Sequence, residues 1–358
     1  MRKPQLANVE DLIAAGLVPE AQREAIGKVA ERYAIGLSGT LAALIDRDDP
    51  DDPIARQFIP DPGELVVRPE DMADPIGDAA MSPVDGIVHR YPDRVLLKLI
   101  HTCPVYCRFC FRRETVGPGS PTHLDALDAA FAYIAAHQAI FEVILTGGDP
   151  LVLSLRRLAD IMARLGAIEH VGIIRVHTRV PVANPALVTN ALAEILRNTG
   201  KTVYVALHAN HPRELTGDAR AACARLVDAG IPMLGQSVLL RGVNDNVETL
   251  EQLMRAFVRA RVKPYYLHHP DLARGTAHFR VSIAEGRALV GALRGRLSGL
   301  CQPVYVLDIP GGFGKVPIGE GFVTGEEGAY RARDFQGESH LYPPRHDAVA
   351  LDEIAREA

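Results

Sequence analysis

The chain has 358 residues, of which 47% are hydrophobic and 23% are charged. This composition is typical of a globular protein and argues against a disordered or low-complexity chain. The net charge of −5 provides no overall positive field for nucleic acid. No apolar run approaches the roughly 18 residues of a membrane span, and the N-terminal residues lack the apolar core of a signal peptide. We therefore expect a cytoplasmic protein that binds neither membranes nor nucleic acid.

The N-terminal part of the chain is predicted to be helical. Apolar residues recur at helical spacing in segments 8–17, 19–34 and 38–46, and the second and third segments begin with Pro and Ser, which favour helix starts. From residue 48 to about residue 85 the sequence is rich in Pro and Asp and shows little periodicity. That pattern predicts a long loop after the helices.

Short apolar runs then alternate with amphipathic segments. This alternation predicts a parallel sheet with right-handed crossovers, and six or more units favour a barrel or partial barrel over an open sheet. In such folds the chemistry lies at the carboxyl ends of the strands. The predicted strands are 95–100, 141–145, 172–177, 202–208, 233–239, 264–269 and 304–307, and the helical stretches between them include 124–137, 155–165, 185–197, 218–229, 247–260 and 283–297.

Three of the five cysteines lie within eight residues, directly after the first predicted barrel strand. Cys103, Cys107 and Cys110 have the spacing C-x₃-C-x₂-C, which can hold three corners of a cuboidal iron–sulfur cluster and leave the fourth iron open. A zinc site is an alternative, but structural zinc usually takes four ligands, so a residue such as His101 would have to complete it. Three buried thiols without a metal are the remaining alternative, although burial gives no reason for this spacing.

A glycine pair and a carboxylate follow the second predicted strand. Gly147 and Gly148 would let the backbone approach a ligand closely, and Asp149 could accept an ammonium group. The same residues also form a good turn, so this motif alone leaves both interpretations open.

A glycine-rich loop near the end of the barrel region terminates in Lys315. It does not match a P-loop, because Ile309 stands where the first glycine is required and Val316 replaces Ser or Thr. A lysine on a flexible loop can instead form a Schiff base that exchanges with substrate amines. The chain has few candidates for that role, with 6 lysines against 33 arginines. A solvated lysine on a turn is the alternative.

Two arginines and a tyrosine lie directly before the first barrel strand. Arg90, Tyr91 and Arg94 could hold a phosphate group from neighbouring directions. Two surface arginines before a strand are the more common occurrence. Taken together with Lys315, however, a phosphate site indicates pyridoxal 5′-phosphate.

The cysteine motif, with Phe109 before its last cysteine, resembles the radical S-adenosylmethionine (SAM) superfamily. More specifically, the chain resembles the lysine 2,3-aminomutase family from about residue 50 to about residue 344. The resemblance implies a partial (β/α)₆ barrel at 89–317, with a helical extension at 1–88 and a short tail at 318–358. It also implies an isomerase that uses a [4Fe–4S] cluster, SAM and pyridoxal phosphate to convert L-lysine to β-lysine. The segments that carry it are HRYPDRVLLKLIHTCPVYCRFCFRRE, ILTGGDPL, ALHANHPRELT, GIPMLGQSVLLRGVND, VKPYYLHHPDLARGTAHFR and LDIPGGFGKVP.

The resemblance also implies a role for each matching residue. Two carboxylates at the far end of the substrate would select a cationic side chain and reject an acidic one. Thr178 and Arg179 are weaker candidates for the methionine end of SAM. The implied cluster ligands are Cys103, Cys107 and Cys110; the SAM contacts are Gly147, Gly148, Asp149, His208 and Gln236; the pyridoxal phosphate contacts are Arg90, Tyr91, Arg94 and the catalytic Lys315; and the substrate contacts are Arg112, Asp271 and Asp308.

Three departures from the family pattern qualify the resemblance. Family members of the clostridial type bind zinc through extra cysteines, but here Asn246 occupies the mid-chain position and no cysteine follows Cys301, so we expect no zinc. The C-terminal tail is also short, so the resemblance does not extend to the intertwined tetramer of that family. A homo-oligomer is one of the subunit arrangements left open. Residues 74–78 and 109–111 resemble a shorter branch, which isomerises lysine for attachment to an elongation factor, although that branch lacks an aspartate at the position of Asp308.

The resemblance implies two partners, an amino acid substrate and an electron donor such as flavodoxin or ferredoxin. The alternatives are the same chemistry on another amino acid, the elongation-factor branch, and a non-catalytic iron–sulfur or zinc module. A module of that kind would need neither the Lys315 loop nor the phosphate site.

Overall fold

The computed structural model describes residues 5–117, 124–325 and 330–342. In these ranges, no helix is both long enough and apolar enough to cross a membrane. The predicted tail at 318–358 lies partly outside the described residues.

Helices form the N-terminal extension as predicted, but they are shorter than the apolar pattern indicated. The Asn8 side chain caps α1 and the Ser38 hydroxyl caps α3. The loop prediction for 48–85 is wrong at residues 53–58. There Asp52 accepts backbone N–H groups and proline occupies the first helical turn, so a helix starts. The helices are α1 (Val9–Ala14), α2 (Arg23–Ala30), α3 (Gly39–Ala42) and α4 (Pro53–Phe58), and the short strands β1 (Gln5–Leu6) and β2 (Leu37–Ser38) pair antiparallel.

A nine-stranded sheet forms the main body, and its spatial order follows the chain order. Its seven central strands are parallel and correspond to the seven predicted strands, which are therefore confirmed. An antiparallel strand was missed at each edge, because one lies in the predicted phosphate site and the other is only three residues long. The strands are β3 (Ile87–Tyr91), β4 (Arg94–Ile100), β5 (Glu142–Gly147), β6 (Ile173–Thr178), β7 (Thr202–His208), β8 (Met233–Val238), β9 (Val262–His268), β10 (Val304–Asp308) and β11 (Lys315–Pro317).

Six helical crossovers connect the parallel strands, as the (β/α)₆ prediction requires. The predicted helix at 185–197 is divided: Pro185–Leu187 forms a 3-10 turn, and α8 begins only after the Thr189 cap. The predicted helix at 283–297 ends earlier, shortly before Gly295, which has φ +75°. The helices are α5 (Leu124–Ala136), α6 (Leu155–Gly166), α7 (Val180–Ala183), α8 (Asn190–Arg197), α9 (Gly217–Asp228), α10 (Val247–Arg259) and α11 (Ile283–Leu293).

The two faces of the sheet have different environments. In β4, β6 and β8, buried residues alternate with half-buried ones along the strand. The buried face packs against the helices in one large apolar core. The half-buried positions, such as Arg175, His177 and Gln236, line a cavity on the other face. This alternation is the expected result when a strand separates a core from an interior site.

The sheet curls so that its two edges meet. The backbone N–H of Lys315 on β11 donates a 2.7 Å hydrogen bond to the Tyr91 hydroxyl on β3. The residue before it, Gly314, has φ +96°, and a Cβ there would lie 2.9 Å from that hydroxyl. Beyond the barrel, β12 (Val323–Thr324), β13 (Tyr330–Arg333) and β14 (Ser339–Tyr342) form a small antiparallel sheet. A side chain, rather than a backbone ladder, therefore links the two edges of the partial barrel.

Candidate active site

A cavity of about 540 Å³ opens at the carboxyl ends of the parallel strands. Every residue that the sequence analysis assigned to the site lines it, although these residues are up to 225 positions apart, from Arg90 to Lys315. Strand ends are where a barrel of this kind places its chemistry. The shared lining residues are Arg90, Tyr91, Arg94, Cys103, Cys107, Cys110, Arg112, Gly147, Gly148, Asp149, His208, Gln236, Asp271, Asp308 and Lys315.

The three clustered cysteines lie on the loop after β4, partly buried at the cavity wall. Burial raises the pKa of the Cys110 thiol to about 11 and raises the pKa of Cys103 well above its ordinary range. Within the described ranges, no three His, Cys, Asp or Glu side chains are grouped to hold a single metal ion. A cuboidal cluster does not need that grouping, because each thiolate binds a different iron. The donor set therefore fits such a cluster.

The N-terminal extension holds the cysteine loop in place. Glu64, fully buried in the extension, forms ion pairs with Arg108 and Arg113, which flank the last cysteine. Arg108 also donates to the carbonyl of Ala34 at 2.9 Å. Backbone bonds add to this, since Tyr106 N–H donates to the carbonyl of Gly36. The loop is thus positioned by residues that lie far from it in sequence.

The glycine pair after β5 is required by close packing against the start of the cysteine loop. A Cβ on Gly147, which has φ +118°, would lie 2.4 Å from the carbonyl oxygen of Ile100. A Cβ on Gly148 would lie 2.2 Å from the carbonyl oxygen of Thr102. Both separations are far below contact distance. The two glycines therefore let the β5 end and the cysteine loop share one wall of the cavity.

Asp149, next to the glycines, connects the ends of two strands. Its carboxylate accepts a hydrogen bond from the Thr178 hydroxyl at 2.8 Å, and the backbone N–H groups of Arg179 and Leu151 donate at 2.7 and 3.0 Å. Burial raises its pKa despite these donors. These donors engage both carboxylate oxygens, and the contact of Asp149 with SAM stays a prediction.

The glycine-rich loop brings Lys315 to a buried carboxylate. The Lys315 ammonium forms an ion pair with Asp308, and Nδ1 of His268 lies 3.5 Å from the other oxygen of that carboxylate. Burial alone would raise the pKa of Asp308, but His268 and Lys315 together lower it to about 2. Asp271 lines the same cavity, and there burial and the charge of Asp308 raise the pKa to about 7. Two carboxylates with different pKa values thus line the cavity beside Lys315.

The arginines predicted for the phosphate and for the substrate carboxylate share one partner. Asp78 accepts from Arg112 Nε at 2.8 Å and from Arg90 Nη2 at 3.3 Å. The Arg90 Nε atom is buried and has no partner in the described part of the chain. The Arg94 guanidinium stacks on the Tyr91 ring at 3.7 Å from its centroid. With Lys315 hydrogen-bonded to Tyr91, this set fits a phosphate-bearing cofactor that bonds to a lysine.

Two of the predicted SAM contacts, His208 and Gln236, lie on adjacent strands. His208 on β7 is paired in register with Gln236 on β8. The His208 ring packs edge-on against Phe109 at 5.7 Å, and its Nε2 lies 3.3 Å from the Asn210 side-chain oxygen. Burial lowers the pKa of His208 well below its usual value, so the imidazole is neutral. A neutral ring beside an aromatic offers a flat apolar surface with one polar edge.

Sequence reasoning missed three residues in the cavity wall or directly behind it. His177 has a buried Nε2 without a partner among the described residues, and Arg175 pairs with Glu142 at 2.9 Å. Asp78 was quoted only as part of a motif. The sequence does carry a pattern that could have identified Arg175 and His177. Both alternate with apolar residues on β6, as expected for a strand with one polar interior face.

Comparisons with known proteins identify the family of the chain. Residues 97–255 match the Radical SAM superfamily model. The chain is 38% identical over 323 residues to the L-lysine 2,3-aminomutase of Clostridium subterminale, covering 90% of this chain and 77% of that protein. It is 34% identical over 315 residues to the glutamate 2,3-aminomutase of Clostridioides difficile, covering 88% of this chain and 74% of that protein.

Among solved structures, a radical SAM methyltransferase from Sphaerobacter thermophilus overlaps with a TM-score of 0.44 and 20% identity, covering 62% of this chain and 68% of that chain. The predicted family is confirmed by the curated relatives, which are matched over most of their length. The chain therefore belongs to the lysine 2,3-aminomutase family within the radical SAM superfamily, and it is an isomerase of the aminomutase type.

Proposed function

We propose that this protein is a radical SAM, pyridoxal phosphate-dependent aminomutase that converts L-lysine to β-lysine. The observation that carries the substrate assignment is the pair of carboxylates, Asp271 and Asp308, in the cavity that also contains Lys315. An acidic substrate would bring a third negative charge to that region, whereas a cationic one would neutralise it.

The charge balance at Asp308 depends on whether Lys315 is a free ammonium or holds the cofactor. While Lys315 is an ammonium, it is the ion-pair partner of Asp308. If Lys315 held pyridoxal phosphate through its side-chain nitrogen, Asp308 would no longer face a free lysine ammonium. The distal ammonium of a lysine substrate would replace it, with His268 holding the other oxygen. Asp308 is buried, so an unbalanced carboxylate at this position would be costly, which favours a cationic substrate.

The opposite end of the substrate is assigned to Arg112. Its guanidinium is held by Asp78 at 2.8 Å and by the Thr146 hydroxyl at 3.2 Å. Arginine binds carboxylates through paired N–H groups, so an arginine fixed in this way orients the α-carboxylate. The separation between Arg112 and the two carboxylates would then determine which length of amino acid fits the cavity.

The cofactors would occupy the remaining walls of the cavity. Cys103, Cys107 and Cys110 would bind a [4Fe–4S] cluster, which with bound SAM supplies a radical that takes a hydrogen atom from the substrate. Arg90, Tyr91, Arg94 and Lys315 would hold pyridoxal phosphate, whose aldehyde bonds reversibly to amines and whose ring delocalises unpaired spin. Reduction of the cluster requires an electron donor of the flavodoxin or ferredoxin type.

The protein's own task is to position these groups and to exclude water. Apolar side chains such as Val88, Leu96 and Ile144 line the cavity beside the polar ones. A dry, fixed environment protects a radical from quenching and keeps the reacting atoms within reach of one another.

The test is an anaerobic assay of the full chain, loaded with iron, sulfide and pyridoxal phosphate and supplied with reductant and SAM. L-lysine and L-glutamate are compared, and β-lysine and β-glutamate are measured. We expect β-lysine and no β-glutamate. Cleavage of SAM with lysine left unchanged would refute the substrate assignment and leave the radical chemistry standing. Failure to bind pyridoxal phosphate would refute the cofactor assignment of Lys315.

A further inference from the structure

Arg179, the residue after β6, contacts a cysteine sulfur of the proposed cluster site. Its Nη1 donates a 2.9 Å hydrogen bond to Sγ of Cys107. Its side chain is 6% exposed, and its Nη2 donates to Glu214 at 2.7 Å and to Gln57 at 3.1 Å. An arginine is therefore fixed behind the cysteine loop.

The partners of Arg179 are themselves held rigidly. The second carboxylate oxygen of Glu214 accepts the backbone N–H groups of Asn210 at 2.8 Å and His211 at 3.0 Å. Gln57, from the N-terminal extension, accepts a 3.1 Å hydrogen bond from the Asn210 amide through the same oxygen that Arg179 contacts. Glu214, Gln57 and Asn210 are all fully buried.

A buried ion pair of this kind is weak evidence for stability, because the cost of removing two charges from water can exceed their attraction. An orientation that directs one guanidinium N–H to a cysteine sulfur is better explained by an effect on that sulfur. Hydrogen bonds to cluster sulfurs are among the features that set the reduction potential of iron–sulfur proteins.

We infer that Arg179 is a positioning residue that donates to the Cys107 sulfur and makes the cluster easier to reduce. This inference rests on the proposed assignment of Cys107 as a cluster ligand. When the cluster takes up one electron from a reductant, its negative charge grows and no bond forms or breaks. A donor on the ligand sulfur stabilises that added charge, and Glu214 offsets part of the effect by neutralising the guanidinium.

The test is the midpoint potential of the cluster in the full-length protein, measured under anaerobic conditions by titration with dithionite and electron paramagnetic resonance. Arg179→Gln should shift the potential to a more negative value. Glu214→Gln, which keeps an acceptor for the backbone but removes the counter-charge, should shift it to a less negative value. Arg213→Gln is the matched control, because that neighbouring arginine pairs with Asp52 instead, and its potential should be unchanged.

Shifts of opposite sign support the inference, since general damage to the site would move both variants in the same direction. Unchanged potentials, or shifts of equal sign, overturn it. If Arg179→Gln assembles no cluster, Glu214→Gln decides alone: a less negative potential supports the inference and an unchanged one overturns it. Iron content in Cys107→Ser separates the two proposals, because full cluster loading there would refute the ligand assignment itself.

Discussion

Asp271 and Asp308 show how two identical side chains in one cavity acquire different charges. Asp308 is ionised because Lys315 and His268 outweigh the effect of burial, and its pKa falls to about 2. Asp271 is half-buried, and its desolvation and the charge of Asp308 raise its pKa to about 7. Environments that separate the pKa values of paired groups are typical of sites with assigned roles.

The raised pKa of Asp271 predicts a pH dependence of lysine binding. As the pH falls below about 7, Asp271 takes up a proton and the cavity loses one of its two negative charges. The KM for L-lysine should therefore rise as the pH falls through this range. In Asp271→Asn the KM should be raised by about tenfold to a hundredfold, because a hydrogen bond to a charged group contributes about 1.5–3 kcal/mol. The KM of this variant should also be independent of pH between pH 6 and pH 8. A KM for the parent protein that is constant from pH 8 to pH 6 would contradict the role of Asp271.

Lys315 is predicted to be indispensable for turnover. Lys315→Ala removes the amine that would bond to pyridoxal phosphate, so β-lysine formation should fall below detection. The visible spectrum of the iron–sulfur cluster should be unchanged, because the cysteine loop is held by Glu64 and Arg179 instead. Lys28→Ala is the matched control, since Lys28 is exposed on α2 and pairs with Glu24, far from the glycine-rich loop in sequence. Normal activity of Lys315→Ala would refute the assignment.

At the scale of the elements, the contact between the end of β5 and the cysteine loop requires glycine, which has no side chain. The carbonyl oxygen of Thr102 lies where a Cβ on Gly148 would be, so the two segments can pack only with glycine at this position. The same contact brings Asp149 and the cysteines to one wall. The glycines of this motif thus allow two backbone segments of the protein to pack against each other.

Gly148→Ala is therefore predicted to displace the cysteine loop. We expect a loss of about 1–3 kcal/mol in the free energy of unfolding, as for other overpacked sites, together with a lower iron content after reconstitution. Gly217→Ala is the matched control, because a Cβ at that exposed position in the first turn of α9 meets no atom within 4 Å. Its stability should be unchanged or slightly increased. Equal iron contents in the two variants would contradict this account of Gly148.

At the scale of the whole molecule, the N-terminal extension is part of the site. Glu64 pairs with Arg108 and Arg113, and Gln57 reaches Arg179. These contacts join the extension to the cysteine loop through buried charges. The extension therefore acts as a support for the loop that would carry the cluster.

Removing the charge of Glu64 should destabilise the protein strongly. In Glu64→Gln two arginines remain buried without their counter-charge, which typically costs about 3–5 kcal/mol. Urea unfolding followed by circular dichroism measures this loss. Glu24→Gln changes an exposed glutamate of the same extension and should unfold at the same urea concentration as the parent protein. A Glu64→Gln protein that is as stable as the parent would show that the extension does not anchor the loop.

The sequence by itself determined the strands, the six crossovers and the residues with local signatures. Three cysteines within eight residues and a lysine after a run of glycines are patterns that lie within one short segment, so neighbouring residues suffice to recognise them. Apolar runs identify buried strands for the same reason, since the core imposes a short and regular period on the sequence. Helix ends were less certain, because caps such as Thr189 depend on single residues.

Only the tertiary structure decided how these residues are held and paired. Gln57, Arg179 and Glu214 meet although more than 30 residues separate each from the next. Asp78 joins Arg90 and Arg112 from a segment without periodicity. Such contacts arise when the sheet curls and its strand ends converge, so no short stretch of sequence records them. Local motifs therefore indicate the chemistry, whereas the ion pairs that position the reactive residues depend on the curled partial barrel.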